Sequence, residues 1–242
     1  MNDLEVFFYE SMGSRTTKWR HYFEIYDRHL ARFRGSDVHV VEFGVKHGGS
    51  LQMWKHYFGP CSKVYGIDIN PQCKRVEEEQ IEVFIGDQED RTFLRSLITS
   101  IPRIDVLIDD GGHSMKQQIA TFEELFDRIE PNGVYICEDL HTSYWPKVGG
   151  GYKRYGTFIE YSKDFIDYVN AWHSKNQRLQ PNEFTRTAYS LHYYDSVLVV
   201  EKRPMNAPER ISNDGPYRVT NKQPRTTSQK VMKRVRSLVG LW

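Results

Sequence analysis

Cysteine is scarce and unpatterned in this chain of 242 residues: Cys61, Cys73 and Cys137 stand far apart and odd in number. Neither a disulfide framework nor a cysteine-rich zinc site is expected. Long apolar runs are missing too, and nothing approaches the roughly 18 to 20 residues that span a bilayer. The first residues are acidic rather than basic and lack a signal-peptide profile, so the expected location is cytoplasmic. Charge of one sign is not in excess, with 33 Lys and Arg against 32 Asp and Glu. No general pull toward nucleic acid follows, and no nucleic-acid partner is expected. Also absent are the GxGxxG dinucleotide fingerprint, an internal repeat, and any recognisable two-histidine-one-carboxylate iron set. Ordinary hydrophobic and charged content leaves a folded chain, long enough to bury a full core.

What is present is an alternation. Aromatics at helical spacing (Trp19, Tyr22, Phe23, Tyr26, then Leu30 and Phe33) predict an amphipathic helix in the leader. Apolar strands are expected at 38–45, 64–69, 81–86, 104–109 and 134–138. Helices are expected at 50–57, after Pro71, at 90–99 and at 115–129. Ser114 and Gln117 stand at capping-box spacing before the last of these. Strands alternating with helices imply an α/β, Rossmann-like, doubly wound and mostly parallel sheet. Residues 140–157, rich in Gly, Tyr and Trp, read as a long loop over the site. A helix near 164–173 and a hairpin at 187–202 complete a seven-stranded sheet with an antiparallel C-terminal strand. The expected divisions are a helical leader at 1–36, the α/β domain at 37–203 and a flexible tail at 204–242.

Open α/β sheets place their sites at the carboxyl ends of the strands, and those ends carry the chemistry here. The segment VEFGVKHGGS (41–50) gives Glu42, Gly44 and Ser50 around a glycine-bearing loop that leads into a helix. Such a loop lets a ligand approach the backbone, and the acid suits an amine-bearing ligand such as the methionine part of S-adenosylmethionine. Asp68 ends the second strand, where an acid can bind ribose hydroxyls. Asp87 and Gln88 end the third, near an adenine amino group. The fourth and fifth strands end in Asp110 and in Glu138 and Asp139. Three carboxylates so close would repel unless a cation joined them, and hard oxygens favour Mg²⁺, Mn²⁺ or Ca²⁺ over zinc. Asp109 either holds the loop or touches the nucleoside. His113, three residues past Asp110, is suited to take a proton from a hydroxyl. His141 is a second catalytic candidate, with Tyr144 and Trp145 shaping an acceptor pocket.

The segments VEFGVKHGGSLQMWKHYF, YGIDI, FIGDQED, IDVLIDDGGHS and VYICEDLHTSYWP, in that order, resemble the class I S-adenosylmethionine-dependent methyltransferases. The resemblance is specifically to the metal-dependent sugar O-methyltransferases of macrolide tailoring and to cephalosporin hydroxylase-like proteins. The leader string KWRHYFEIY is similar too. This resemblance implies Asp110, Glu138 and Asp139 as Mg²⁺ ligands and His113 as general base. It also implies Glu42, Gly44, Asp68 and Asp87 lining the cofactor pocket. The expected activity is methylation of a sugar hydroxyl in a glycan or glycosylated small molecule. Set against it are a nicotinamide-dependent oxidoreductase and a non-catalytic nucleoside-binding module on the same sheet.

The tail carries seven basic residues and no acid between Arg218 and Arg236, and ends in apolar residues at helical spacing. That pattern fits peripheral attachment at the inner membrane surface or contact with a glycosyltransferase. The aromatic leader is of a kind to pack against a second copy of the chain.

Overall fold

In the computed structural model, which describes residues 1–213, the parallel strands form as the apolar runs demand. They are β1 (His39–Phe43), β2 (Lys63–Asp68), β3 (Ile81–Ile85), β4 (Ile104–Asp109) and β5 (Ile129–Cys137). A C-terminal pair follows, β6 (Ala188–Tyr194) and β7 (Val197–Lys202), and the sheet order is β3-β2-β1-β4-β5-β7-β6. Only β7 runs against its neighbours, inserted between β5 and β6. The chain leaves β1 for β2 on one side and returns for β4 on the other, so the switch point lies between β1 and β4.

Helices cover both faces. The leader forms α1 (Asp3–Glu10) and α2 (Tyr22–Leu30), which share one face with α3 (Gly49–Phe58). The opposite face is covered by α4 (Arg91–Ser100), α5 (Met115–Leu125), α6 (Phe158–Val169) and α7 (Glu183–Thr187). Alternation along each strand divides the core. Val40, Val106, Ile108, Val134 and Ile136 face the leader helices, whereas Val41, Phe43, Leu107, Tyr135 and Cys137 face α5. The same parity carries Glu42, Asp110 and Glu138 to the leader side and Asp109 to the α5 side.

Four boundaries differ from expectation. The leader helix starts at Tyr22, not Trp19, because Trp19 stays half exposed while Tyr22 onward is buried. The expected 115–129 helix stops at Leu125; a 3-10 turn follows, and Ile129 joins the sheet opposite Ile104. The 140–157 loop holds two 3-10 turns, Leu140–Tyr144 and Pro146–Val148. The next helix begins early, at Phe158, where the Thr157 side chain caps it. The leader belongs to the same compact unit as the sheet, which runs over residues 1–207. No described helix is long and apolar enough to cross a membrane. The basic amphipathic helix expected at the tail end lies outside the described residues.

Candidate functional site

A cavity of about 1080 Å³ opens over the carboxyl ends of the parallel strands. Its floor is set by strand register. Phe43 pairs with Asp109, and Asp109 with Cys137. One step beyond, the Asp110 N–H donates to the Phe43 carbonyl (3.2 Å) and the Glu138 N–H to the Asp109 carbonyl (2.9 Å). The expected adjacency of the two acid-bearing strand ends is therefore present.

The donor half of the cavity is built from the loop after β1. Gly44, at φ +92°, packs its backbone against that of Asp110, leaving no room for a side chain. The Asp68 carboxylate accepts from the Val45 and Lys46 N–H groups (3.0 Å each) and from Asn70 N–H (2.8 Å), so it fixes the loop it shares the cavity with. Asp87 lines the cavity and accepts from the Glu89 N–H at 2.8 Å. Ser50 lines it too, and its hydroxyl donates to the buried Glu42 (2.7 Å).

Of the expected contacts, Glu42 and Asp109 are fully buried and do not line the cavity, whereas Gln88 does. The Gln88 amide donates to Asp109 (2.7 Å) and Thr121 (2.9 Å), and its oxygen accepts from the Gly112 N–H, so its side chain braces the Asp110 loop from inside. Asp109 is fully buried, does not line the cavity, and is pushed up to about 6 by that burial. Strand parity explains it: Asp109 points toward α5 and takes the role of holding the loop.

The acid corner divides into two groups that meet at Asp110. Toward the cavity, Asp110, His113 and Asp139 bring one ligand atom each within 4.8 Å of one another. His113 Nε2 lies 3.5 Å from Asp139 Oδ2 and 3.9 Å from Asp110 Oδ1, while its buried Nδ1 has no partner. Both His113 and Asp139 hold positive φ, 54° each, a strain tolerated chiefly where surrounding structure enforces it. Toward the leader, the buried Lys18 ammonium donates to Asp110 Oδ2 (2.6 Å) and to both Glu138 oxygens (2.9 and 3.1 Å), and stands 3.6 Å from Glu42. Tyr26 donates to Glu138 (2.7 Å) and Tyr22 to Asp139 (2.8 Å).

Burial works against the Lys18 charge, yet Asp110, Glu138 and Glu42 outweigh it and hold the ammonium well above its ordinary pKa. Burial, with the charge of Asp110, pushes Glu138 up; burial likewise raises Glu42. Four carboxylates against one ammonium leave a surplus of negative charge. Hard oxygen donors with surplus charge fit a divalent cation of the Mg²⁺ kind. Asp110, Glu138 and Asp139 all line the cavity, and both Glu138 oxygens already accept from Lys18.

His141 is not in this group. Its Nδ1 is 2.5 Å from the Ser196 hydroxyl, its ring lies between Trp19 and Trp145, and it does not line the cavity. Lys18, Tyr22 and Tyr26, by contrast, carry no site role in the sequence reading, although all three lie in the KWRHYFEIY string. The tyrosines, at i and i+4, were legible only as core, and a single lysine in a polar leader carries no periodic signal.

Comparison with known proteins finds similarity to methyltransferases. Residues 41–140 match the family model described as a methyltransferase domain. A tetracenomycin rhamnosyl 2'-O-methyltransferase of Streptomyces olivaceus is 38% identical over 75% of this chain and 50% of its own length. The mycinamicin VI 2''-O-methyltransferase of Micromonospora griseorubida is 36% identical over 73% and 47%. Among solved structures, the MycE methyltransferase from the mycinamycin biosynthetic pathway, in complex with Mg, S-adenosylhomocysteine and mycinamycin VI, superposes with a TM-score of 0.73. It is 31% identical, covering 96% of this chain and 58% of that one. The chain spans about half the length of the curated relatives it matches.

Proposed function

We propose, from the premise that this chain carries a class I methyltransferase domain similar to those of the sugar O-methyltransferases, that it methylates a sugar hydroxyl. The donor is S-adenosylmethionine, the assisting ion is Mg²⁺, and the acceptor is a glycosylated small molecule. One observation carries the reading: Asp110, His113 and Asp139 converge in the lining of the donor cavity, which Glu138 shares.

Asp110, Glu138 and Asp139 are the residues that would hold the ion. When bound, Mg²⁺ supplies Lewis acidity that lowers the pKa of an acceptor hydroxyl. The donor brings a methyl group on a positively charged sulfur, and the Gly44 loop with Asp68 forms the cradle for its nucleoside. His113 Nε2 faces the same space and accepts the hydroxyl proton as the oxygen attacks. Asp139, at 3.5 Å from that nitrogen, stabilises the imidazolium that results. Holding acceptor oxygen and methyl in line supplies about 7 to 11 kcal/mol of the acceleration in well-oriented systems. The half-exposed Trp19 lines the cavity, and through His141 its ring neighbours Trp145, aromatic surface suited to the apolar face of a sugar.

The test is incubation of the purified chain with Mg²⁺, isotope-labelled S-adenosylmethionine and a panel of glycosylated small molecules, read by mass spectrometry. A gain of one labelled methyl on a sugar ring is the expected result. Labelling confined to non-sugar hydroxyls would refute the acceptor class, and no labelling with any hydroxyl acceptor would refute the reaction.

A further inference from the structure

Lysine is seldom fully buried without a charged partner, yet the Lys18 side chain is only 2% exposed. It comes from the stretch between α1 and α2, which has neither helix nor strand over residues 11–19. That stretch runs along the donor cavity, where Arg15, Thr16, Thr17 and Trp19 join Lys18 in the lining. Its upstream end is fixed on α3: the Ser14 N–H donates to the Gln52 side chain (2.9 Å). Gly49 faces the Ser14 and Arg15 carbonyls with no space for a Cβ. Its downstream end is held by Lys18 through the acids, next to Trp19, whose ring stands edge-on to His141.

The ammonium also selects among oxygens. It takes Asp110 Oδ2 and both oxygens of Glu138, and leaves Asp110 Oδ1 on the His113 side. Without it, Glu138 keeps the Tyr26 hydroxyl and Glu42 keeps the Ser50 hydroxyl, while Asp110 Oδ2 loses its partner. Three neighbouring carboxylates would then repel one another and rotate.

We propose that Lys18 is a positioning residue whose buried ammonium decides which carboxylate oxygens face a divalent cation and, through the same contacts, pins the leader across the donor cavity. The first half rests on the reading of Asp110, Glu138 and Asp139 as ion-holding acids; the second half does not.

The experiment compares the full chain with its Lys18→Ala variant. Hydrogen exchange at the Ser14 amide, the leader N–H that donates to Gln52, should become about tenfold faster in the variant. The paramagnetic resonance spectrum of bound Mn²⁺, which reports the ligand geometry, should change as well. Adding methylammonium should restore the Mn²⁺ spectrum, because the vacated pocket accepts an ammonium. It should not restore leader protection, because the covalent tether is gone. If Lys18→Ala fails to fold, Lys18→Met keeps the stem and serves for both measurements. Unchanged leader exchange overturns the pin; an unchanged Mn²⁺ spectrum, or one methylammonium leaves altered, overturns the oxygen selection. Should the unaltered chain bind no Mn²⁺, the ion-holding reading itself fails, and the exchange measurement still decides the pin.

Discussion

Gly44 sits with its backbone directly against the carbonyl of Asp110, so that the turn after β1 and the acid after β4 share one van der Waals surface. Gly44→Ala adds a methyl where none fits, at a φ that costs an L-residue roughly 1 to 2 kcal/mol before any clash. The expected result is a lower unfolding temperature together with weaker divalent-ion binding, since Asp110 must move. Calorimetry and an ion titration check both; normal values for the variant would show that the loop gives way elsewhere.

The two histidines should separate cleanly. His113→Ala is expected to lower methyl transfer by about 10² to 10⁴, the usual scale for a positioned proton acceptor, with S-adenosylhomocysteine affinity nearly unchanged. His141→Ala should retain most of the activity, because its ring is engaged by Ser196 outside the cavity. Turnover assays with calorimetric cofactor binding decide it; the reverse order would exchange their roles.

Removing an acid should remove the metal response. Asp139→Ala deletes one of the two carboxylates whose oxygens lie near His113 and leaves the Tyr22 hydroxyl only the Ser196 carbonyl at 3.4 Å. Activity is expected to be very low and insensitive to added Mg²⁺. A variant that remains fully active in excess chelator would end the assignment.

A pH dependence arises away from the cavity. His29 joins α2 to the sheet, with Nδ1 2.6 Å from Glu201 and Nε2 2.8 Å from the Tyr194 hydroxyl. These contacts suit a neutral ring that donates to the carboxylate and accepts from the phenol. Burial lowers the His29 pKa. Burial opposes the Glu201 charge, but His29 and Arg32 prevail and keep that carboxyl below its ordinary value. Both groups then bind protons more readily when unfolded, so stability rises with pH. It should be fully present above about pH 6.5, the ordinary histidine value, and decline as acid protonates His29 and then Glu201. Unfolding temperatures between pH 8 and 4 should show the decline, and His29→Phe should flatten its upper part. An equal slope in that variant would assign the effect to other groups.

The parallel half of the fold was legible because each apolar run stopped at a glycine or an acid, and both the buried-strand signal and the sheet-end signal are local. Asp110, Glu138 and Asp139 could be brought together on paper by strand adjacency alone. Parity along β4 was equally readable in principle, yet the doublet Asp109-Asp110 hides which member faces the cavity until the strand's end is fixed. Gln88 does line the cavity, but its amide is already engaged by Asp109 and Thr121, a pairing that spacing could not show. Lys18 opens the KWRHYFEIY string, but its role could not be read there because its partners lie 92 and 120 residues away in the chain. His29, His192 and Glu201, a two-histidine-one-carboxylate grouping not recognisable in the sequence, were invisible for the same reason; strand pairing and helix docking, not spacing, bring them together.

A leader that sends a positive charge into the heart of the sheet edge cannot be exchanged freely with that of a relative. Chimeras joined near residue 20 should work only when the donor sequence supplies a lysine at the matching place. Acidic corner and incoming segment must therefore be inherited as a pair.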